Sequence, residues 1–177
     1  MKERSIQRKK ISENYNYTIY ACYAGYVVQA IINNLAPLLF LTFRREFGIS
    51  LERIGLLITI NFGVQMLTDT AAAKYADRIG YRASVILAHV CSAAGLICMG
   101  TLPFVLENAY IGLVASMALG AVGGGLIEVL ISPIVEAAPS SHAKDAAMSL
   151  LHSFYCWGHV AVVVLSTVGF TVFGMER

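Results

Sequence analysis

Glu128 lies in "GGGLIEVLISP", residues 123–133, with only glycine and aliphatic residues for a helical turn on either side. A carboxyl in such company can carry a proton or accept hydrogen bonds from a polar ligand. A structural reading stands beside these: a neutral carboxyl held by one internal hydrogen bond. Gly120 and Gly124 precede it on nearly the same helical face and let another helix or a ligand approach the backbone. Pro133 removes a helical hydrogen bond and frees the carbonyl of Val129, one residue from the acid.

Three more polar sets share that helical spacing. Asn61, Gln65 and Asp69 stand at i, i+4 and i+8 and form one stripe. Gln29 and Asn33 stand at i and i+4, with Asn34 beside them. Their amides suit a hydroxyl-rich solute and equally suit contacts between helices. His152, Tyr155 and His159 stand at i, i+3 and i+7. His159 is a candidate to share a proton with Glu128. Asp69 is a candidate for a proton pathway or for bracing nearby charges such as Lys74. No nucleophile has a base at usable spacing, and no HExxH-like set or CxxC pair occurs. Neither an enzyme, a metal centre nor a bound cofactor is expected.

The elements that must position these residues follow from composition. The chain is 57% hydrophobic and 14% charged, where a soluble domain carries about 25% charge. A net charge of +2 and the lack of a basic, aromatic-lined groove argue against nucleic acid as a partner. Five stretches are nearly free of Asp, Glu, Lys and Arg: 14–43, 54–73 (except Asp69), 83–106, 108–135 (except Glu128) and 146–175. Each is long enough to cross the roughly 30 Å of hydrocarbon once as a helix. The expected architecture is an all-α membrane protein with spans near 17–43, 54–73, 83–104, 109–136 and 146–174, after a basic tail at 1–16. The four cysteines fall inside apolar runs and read as small buried thiols.

Basic residues set the orientation. The tail, the Lys74–Arg82 segment and Lys144 share one side and hold most of the Lys and Arg. Arg44, Arg45, Arg53 and Arg177 are on the other. The positive-inside rule then places the N-terminus in the cytoplasm and the C-terminus outside, in a multi-pass protein of the cell membrane. An ionisable group within the hydrocarbon costs about 2.5–3.5 kcal/mol on insertion scales, so Glu128 and the Asp69 stripe must face protein or water.

The segment "AAAKYADRIGYR", residues 71–82, gathers Lys74, Asp77, Arg78 and Arg82 between two oily runs. It resembles the cytoplasmic link between spans two and three of the major facilitator superfamily, roughly Gly-x-x-x-Asp-Arg-x-Gly-Arg-Arg. Asp77, Arg78, Gly80 and Arg82 match; Ala73 replaces the first glycine, and Tyr81 a basic residue. The resemblance implies charge contacts that steady the outward-facing state. Residues 123–133 and "AMSLLHSFYCWG" at 147–158 resemble spans four and five of the fucose-permease-like sugar:proton symporters, and "INNL" at 32–35 resembles their span one. Where those proteins carry an acid after the Asn pair, this chain has Ala36 and Pro37.

The resemblance implies the N-terminal half of a major-facilitator-type bundle and proton-coupled transport of a sugar or similar small solute. Contacts to the solute would come from Gln29, Asn33, Asn34, Asn61, Gln65, Glu128, His152 and Tyr155, with Glu128, Asp69 and His159 handling protons. A C-terminal half or a second chain would complete the site. Two alternatives remain at this point: a transport-inactive fragment or subunit needing a partner, and an exporter of drugs or other small solutes.

Overall fold

The computed structural model describes residues 15–137 and 144–173. Residues 1–14 of the basic tail, Pro139–Ser141 and the C-terminal Met175 and Arg177 lie outside the described residues. Five helices follow in order: α1 (Tyr15–Phe47), α2 (Leu51–Ile79), α3 (Tyr81–Val105), α4 (Ala109–Ala137) and α5 (Lys144–Phe173). All five are long and apolar enough to span a membrane, and no strand occurs among the described residues. The expected all-α membrane bundle is what forms.

The shortest helix has 25 residues and the longest 33, about 38–50 Å at the helical rise. That exceeds the roughly 30 Å of hydrocarbon, so the ends reach the headgroup layers. Aromatic and basic residues collect there. At one end of the helices, Tyr17, Tyr20, Tyr75 and Tyr81 are exposed, and the Lys74 Nζ lies 5.5 Å from the Tyr75 ring centre. At the other, Phe47 meets Phe104 edge-on at 5.2 Å, and the Arg53 guanidinium sits 5.4 Å from the Tyr110 ring centre.

The charged 74–82 segment is not a loop. Lys74, Asp77 and Arg78 belong to the last turns of α2, Arg82 to the first turn of α3, and Gly80 alone links them. Charge does not end a helix, because backbone bonding continues once the chain has left the lipid. What ends it is Gly80, at φ +92°, a conformation that side chains disfavour. Its N–H donates to the Ala76 carbonyl at 2.8 Å, and its carbonyl accepts from the Ser84 N–H at 3.1 Å. Ser50 caps α2 by accepting from the Arg53 N–H at 3.3 Å.

Helix α4 is the hub. It is the most covered helix: 56% of its most apolar window is buried, against 6% for α5. Its small residues let α3 approach backbone to backbone, in antiparallel register. A Cβ added at Gly95 would lie 2.6 Å from the Gly120 nitrogen; one at Gly112, 2.9 Å from the Leu102 carbonyl carbon; one at Gly123, 2.6 Å from the Ser92 nitrogen. On α5, a Cβ added at Gly158 would lie 2.9 Å from the Ala30 Cβ and 3.1 Å from the Val27 Cα of α1.

Several hydroxyls within the apolar helices return to their own backbones, which satisfies them without water. Thr68 donates to the Val64 carbonyl at 2.9 Å and Ser116 to that of Gly112 at 2.6 Å. His89 does likewise through Nδ1, 2.8 Å from the Val85 carbonyl oxygen. All four cysteines are free, but only Cys22 is fully buried. Cys156, expected inside, is exposed because it sits on α5, the helix the bundle covers least.

Candidate functional site

The polar residues of three helices converge between two apolar clusters. One cluster holds Tyr23, Tyr26, Ile127 and Leu151; the other holds Ala36, Leu57, Met99 and Leu113. Along α1, Gln29 and Asn33 fall between them.

Glu128 is the meeting point. Gln29 Nε2 of α1 donates to Glu128 Oε2 at 2.9 Å, and Gln65 Nε2 of α2 donates to the same oxygen at 2.8 Å. Both glutamines are buried, 3% and 9% exposed, whereas Glu128 itself is exposed. One carboxylate oxygen is therefore held by two helices, and the residue still opens outward from the bundle.

The three consecutive glycines of α4 explain how so many helices reach one place. Gly123 faces α3, as described above. Gly124 faces α1, where a Cβ would lie 3.3 Å from Asn33 Oδ1. Gly125 faces α2, where a Cβ would lie 2.6 Å from Asp69 Oδ1 and 3.2 Å from the Gln65 carbonyl oxygen. A Cβ at Gly124 or Gly125 would crowd the polar side chains of α1 and α2.

The α2 stripe turns inward along its length. Gln65 reaches Glu128; Asp69 Oδ1 is buried against α4 without a hydrogen-bond partner among the described residues. Asn61 lines a small cavity of about 20 Å³ with Ile32, Ala36 and Gly120. Asp69 therefore turns toward α4, while Lys74 lies over Tyr75 instead of bracing it.

A second polar group continues the site by one turn. Tyr26 Oη and Ser132 Oγ share a hydrogen bond of 2.8 Å. The Tyr26 ring meets His152 edge-on at 5.5 Å and Tyr155 edge-on at 6.3 Å. Reading the sequence for chemistry left Tyr26 and Ser132 out of the site. The signal was present in spacing: Ser132 is four residues after Glu128, and Tyr26 three before Gln29.

Two expected residues stand apart. Asn34 Nδ2 donates to the Ala30 carbonyl of its own helix at 2.8 Å. His159 is exposed on α5, and the hydrogen bonds to Glu128 come from Gln29 and Gln65 instead. Of the linking motif, Asp77, Arg78 and Arg82 are exposed around Gly80. A groove of about 880 Å³ between α1, α3 and α4, lined by Cys22, Arg82, Val85, His89 and Ile134 among others, contains none of these site residues except Arg82.

Five apolar spans with amides and acids meeting between them define a multi-pass membrane protein. The chain belongs to the Major Facilitator Superfamily, whose family model matches residues 22–176. It is accordingly a membrane transporter. No curated protein and no solved structure matches it.

Proposed function

We propose that this chain is one half of a proton-coupled transporter of a sugar or similar small hydrophilic solute, working by alternating access, as its likeness to the fucose-permease-like branch suggests. The observation that carries the reading is the Glu128 carboxylate, deep in α4, bound by amides from α1 and α2 while the residue remains exposed. Protonation of Glu128 biases which side the cavity opens to, and Asp69, within its electrostatic reach, serves the same pathway. Asn33, Asn61, His152 and Tyr155 offer polar contacts to the solute.

Solute charge follows from the same residues. Within the helices the full charges near the site are the carboxylates of Glu128 and Asp69, and the arginines and lysines of the described residues lie at helix ends. This disfavours an anionic solute. The aromatic residues argue against an apolar drug pocket: Tyr23 is stacked on Phe154 at 4.7 Å, and Phe62 and Trp157 point out of the bundle. The Gly80 end faces the cytoplasm, where Asp77, Arg78 and Arg82 steady one state of the cycle.

An exposed Glu128 also supports a requirement for a partner half that closes the cavity. The chain alone would then bind nothing, which size-exclusion and crosslinking in mild detergent would detect. The main test is uptake of labelled neutral monosaccharides by the intact transporter in proteoliposomes under a pH gradient. Glu128→Gln is expected to abolish accumulation against a concentration gradient; unchanged concentrative uptake would remove the proton role.

A further inference from the structure

Gln29 and Gln65 entered as candidate contacts to the solute, and the structure turns both amides onto Glu128. Their geometry is specific. Both Nε2 atoms donate to one oxygen, Oε2, and both Oε1 atoms are buried without a hydrogen-bond partner among the described residues. An ionised carboxylate only accepts hydrogen bonds, and here two donors converge on one of its oxygens. A protonated carboxyl adds an O–H donor that needs an acceptor. Two buried, unsatisfied acceptors sit on the same two amides, one rotation of a terminal torsion away, and orphaned buried acceptors are uncommon.

We infer that Gln29 and Gln65 form a two-state receptacle for the Glu128 proton: both amides donate to the carboxylate, and one turns over to accept from the protonated acid. This inference rests on the reading of Glu128 as the proton-carrying group. The pair are positioning residues, acting through Glu128. Because the amides come from α1 and α2 and the acid from α4, a single proton changes a hydrogen bond that joins separate helices. That is a physical link from protonation to helix packing.

Other groups near the acid must be separated from it. From α1, Tyr26 lies within electrostatic reach of Glu128, and from α2 so does Asp69. From α5, His152 lies beyond the Tyr26 ring. On α3, His89 is engaged with its own backbone.

The test needs no solute. Infrared titration of the intact transporter in lipid follows the C=O stretch of the protonated carboxyl, assigned to Glu128 by its loss in Glu128→Gln and its survival in Asp69→Asn. Gln29→Leu and Gln65→Leu each remove one donor to the carboxylate. The half-point of the Glu128 band is expected to move to higher pH in each variant and further in the double variant. Conservative Gln65→Asn is expected to return part of the shift. If the Glu128 band titrates but ignores both leucine variants, the receptacle is refuted and the transport reading stands. If no band assigned to Glu128 titrates in the unmodified protein, both fall. Circular dichroism and size-exclusion on every variant confirm that the protein compared is folded.

Discussion

On one face of α4, Gly112, Gly120 and Gly123 meet the main chain of α3; on the other, Gly124, Gly125 and Glu128 meet polar side chains of α1 and α2. The residue type is nearly the same on both faces, but what it touches is not. Along the α3 seam a Cβ added at Gly95, Gly112 or Gly123 would strike backbone atoms of the facing helix, which move only if a helix moves. On the site face it would chiefly strike the ends of side chains, which can rotate. The seam is therefore built to be rigid and the site to adjust. Small residues at a membrane helix interface gain contact by letting backbones approach, and α3–α4 uses this over most of its length. Around Glu128 the same closeness brings amides and acids together.

The comparison breaks hardest at Gly123. In Gly123→Ala the new carbon would lie 2.6 Å from the Ser92 nitrogen and 2.8 Å from the Ala88 carbonyl oxygen. Overpacking against main chain is expected to cost about 3 kcal/mol or more. The readout is Tm in mild detergent and survival through size-exclusion, both of which should fall sharply. An unchanged Tm would mean that the helices are not so closely apposed.

Gly125→Ala probes the other face. Its carbon would lie 2.6 Å from Asp69 Oδ1, the end of a side chain able to turn away, and 3.2 Å from the Gln65 carbonyl oxygen, which is not. The expected loss is about 1–2 kcal/mol, smaller than at Gly123, with a disproportionate fall in transport. A Tm loss equal to that of Gly123→Ala would erase the distinction between the faces. Glu128→Gln sharpens it further. The new side chain keeps an oxygen to accept from Gln29 and Gln65, so stability should change by about 1 kcal/mol or less while concentrative uptake is lost.

The five apolar helices were legible in the sequence because hydropathy and charge report directly on what lipid tolerates. So was the cost of leaving Asn61, Gln65 and Asp69 in lipid, and the structure turns that stripe toward α4. Partners across helices were not legible. Whether Gln29 faces a solute or Glu128 depends on how α1 is rotated about its axis, a property of packing that spacing within one helix does not contain. Asn33 and Asn34 show the limit well. They are adjacent and chemically identical, yet one lies by Gly124 and the other bonds its own helix. The Gly80 junction illustrates a different gap: charge density marks the end of the lipid, not the end of the helix.

Gly100 supplies the smallest effect, with the opposite sign. It lies on α3 five residues after Gly95, exposed, and a Cβ there meets nothing within 4 Å. At Gly95 the same change would bring a carbon within 2.6 Å of the Gly120 backbone. With no clash, only the helical preference for alanine over glycine remains, up to about 1 kcal/mol in favour of the folded helix. Gly100→Ala should thus raise Tm slightly and leave transport intact, while Gly95→Ala lowers Tm strongly. Two glycines on one helix, changed identically, then separate packing from propensity. If Gly100→Ala is instead as damaging as Gly95→Ala, that face of α3 is covered by another helix in the assembled transporter, and the seam with α4 is not the only close contact α3 makes.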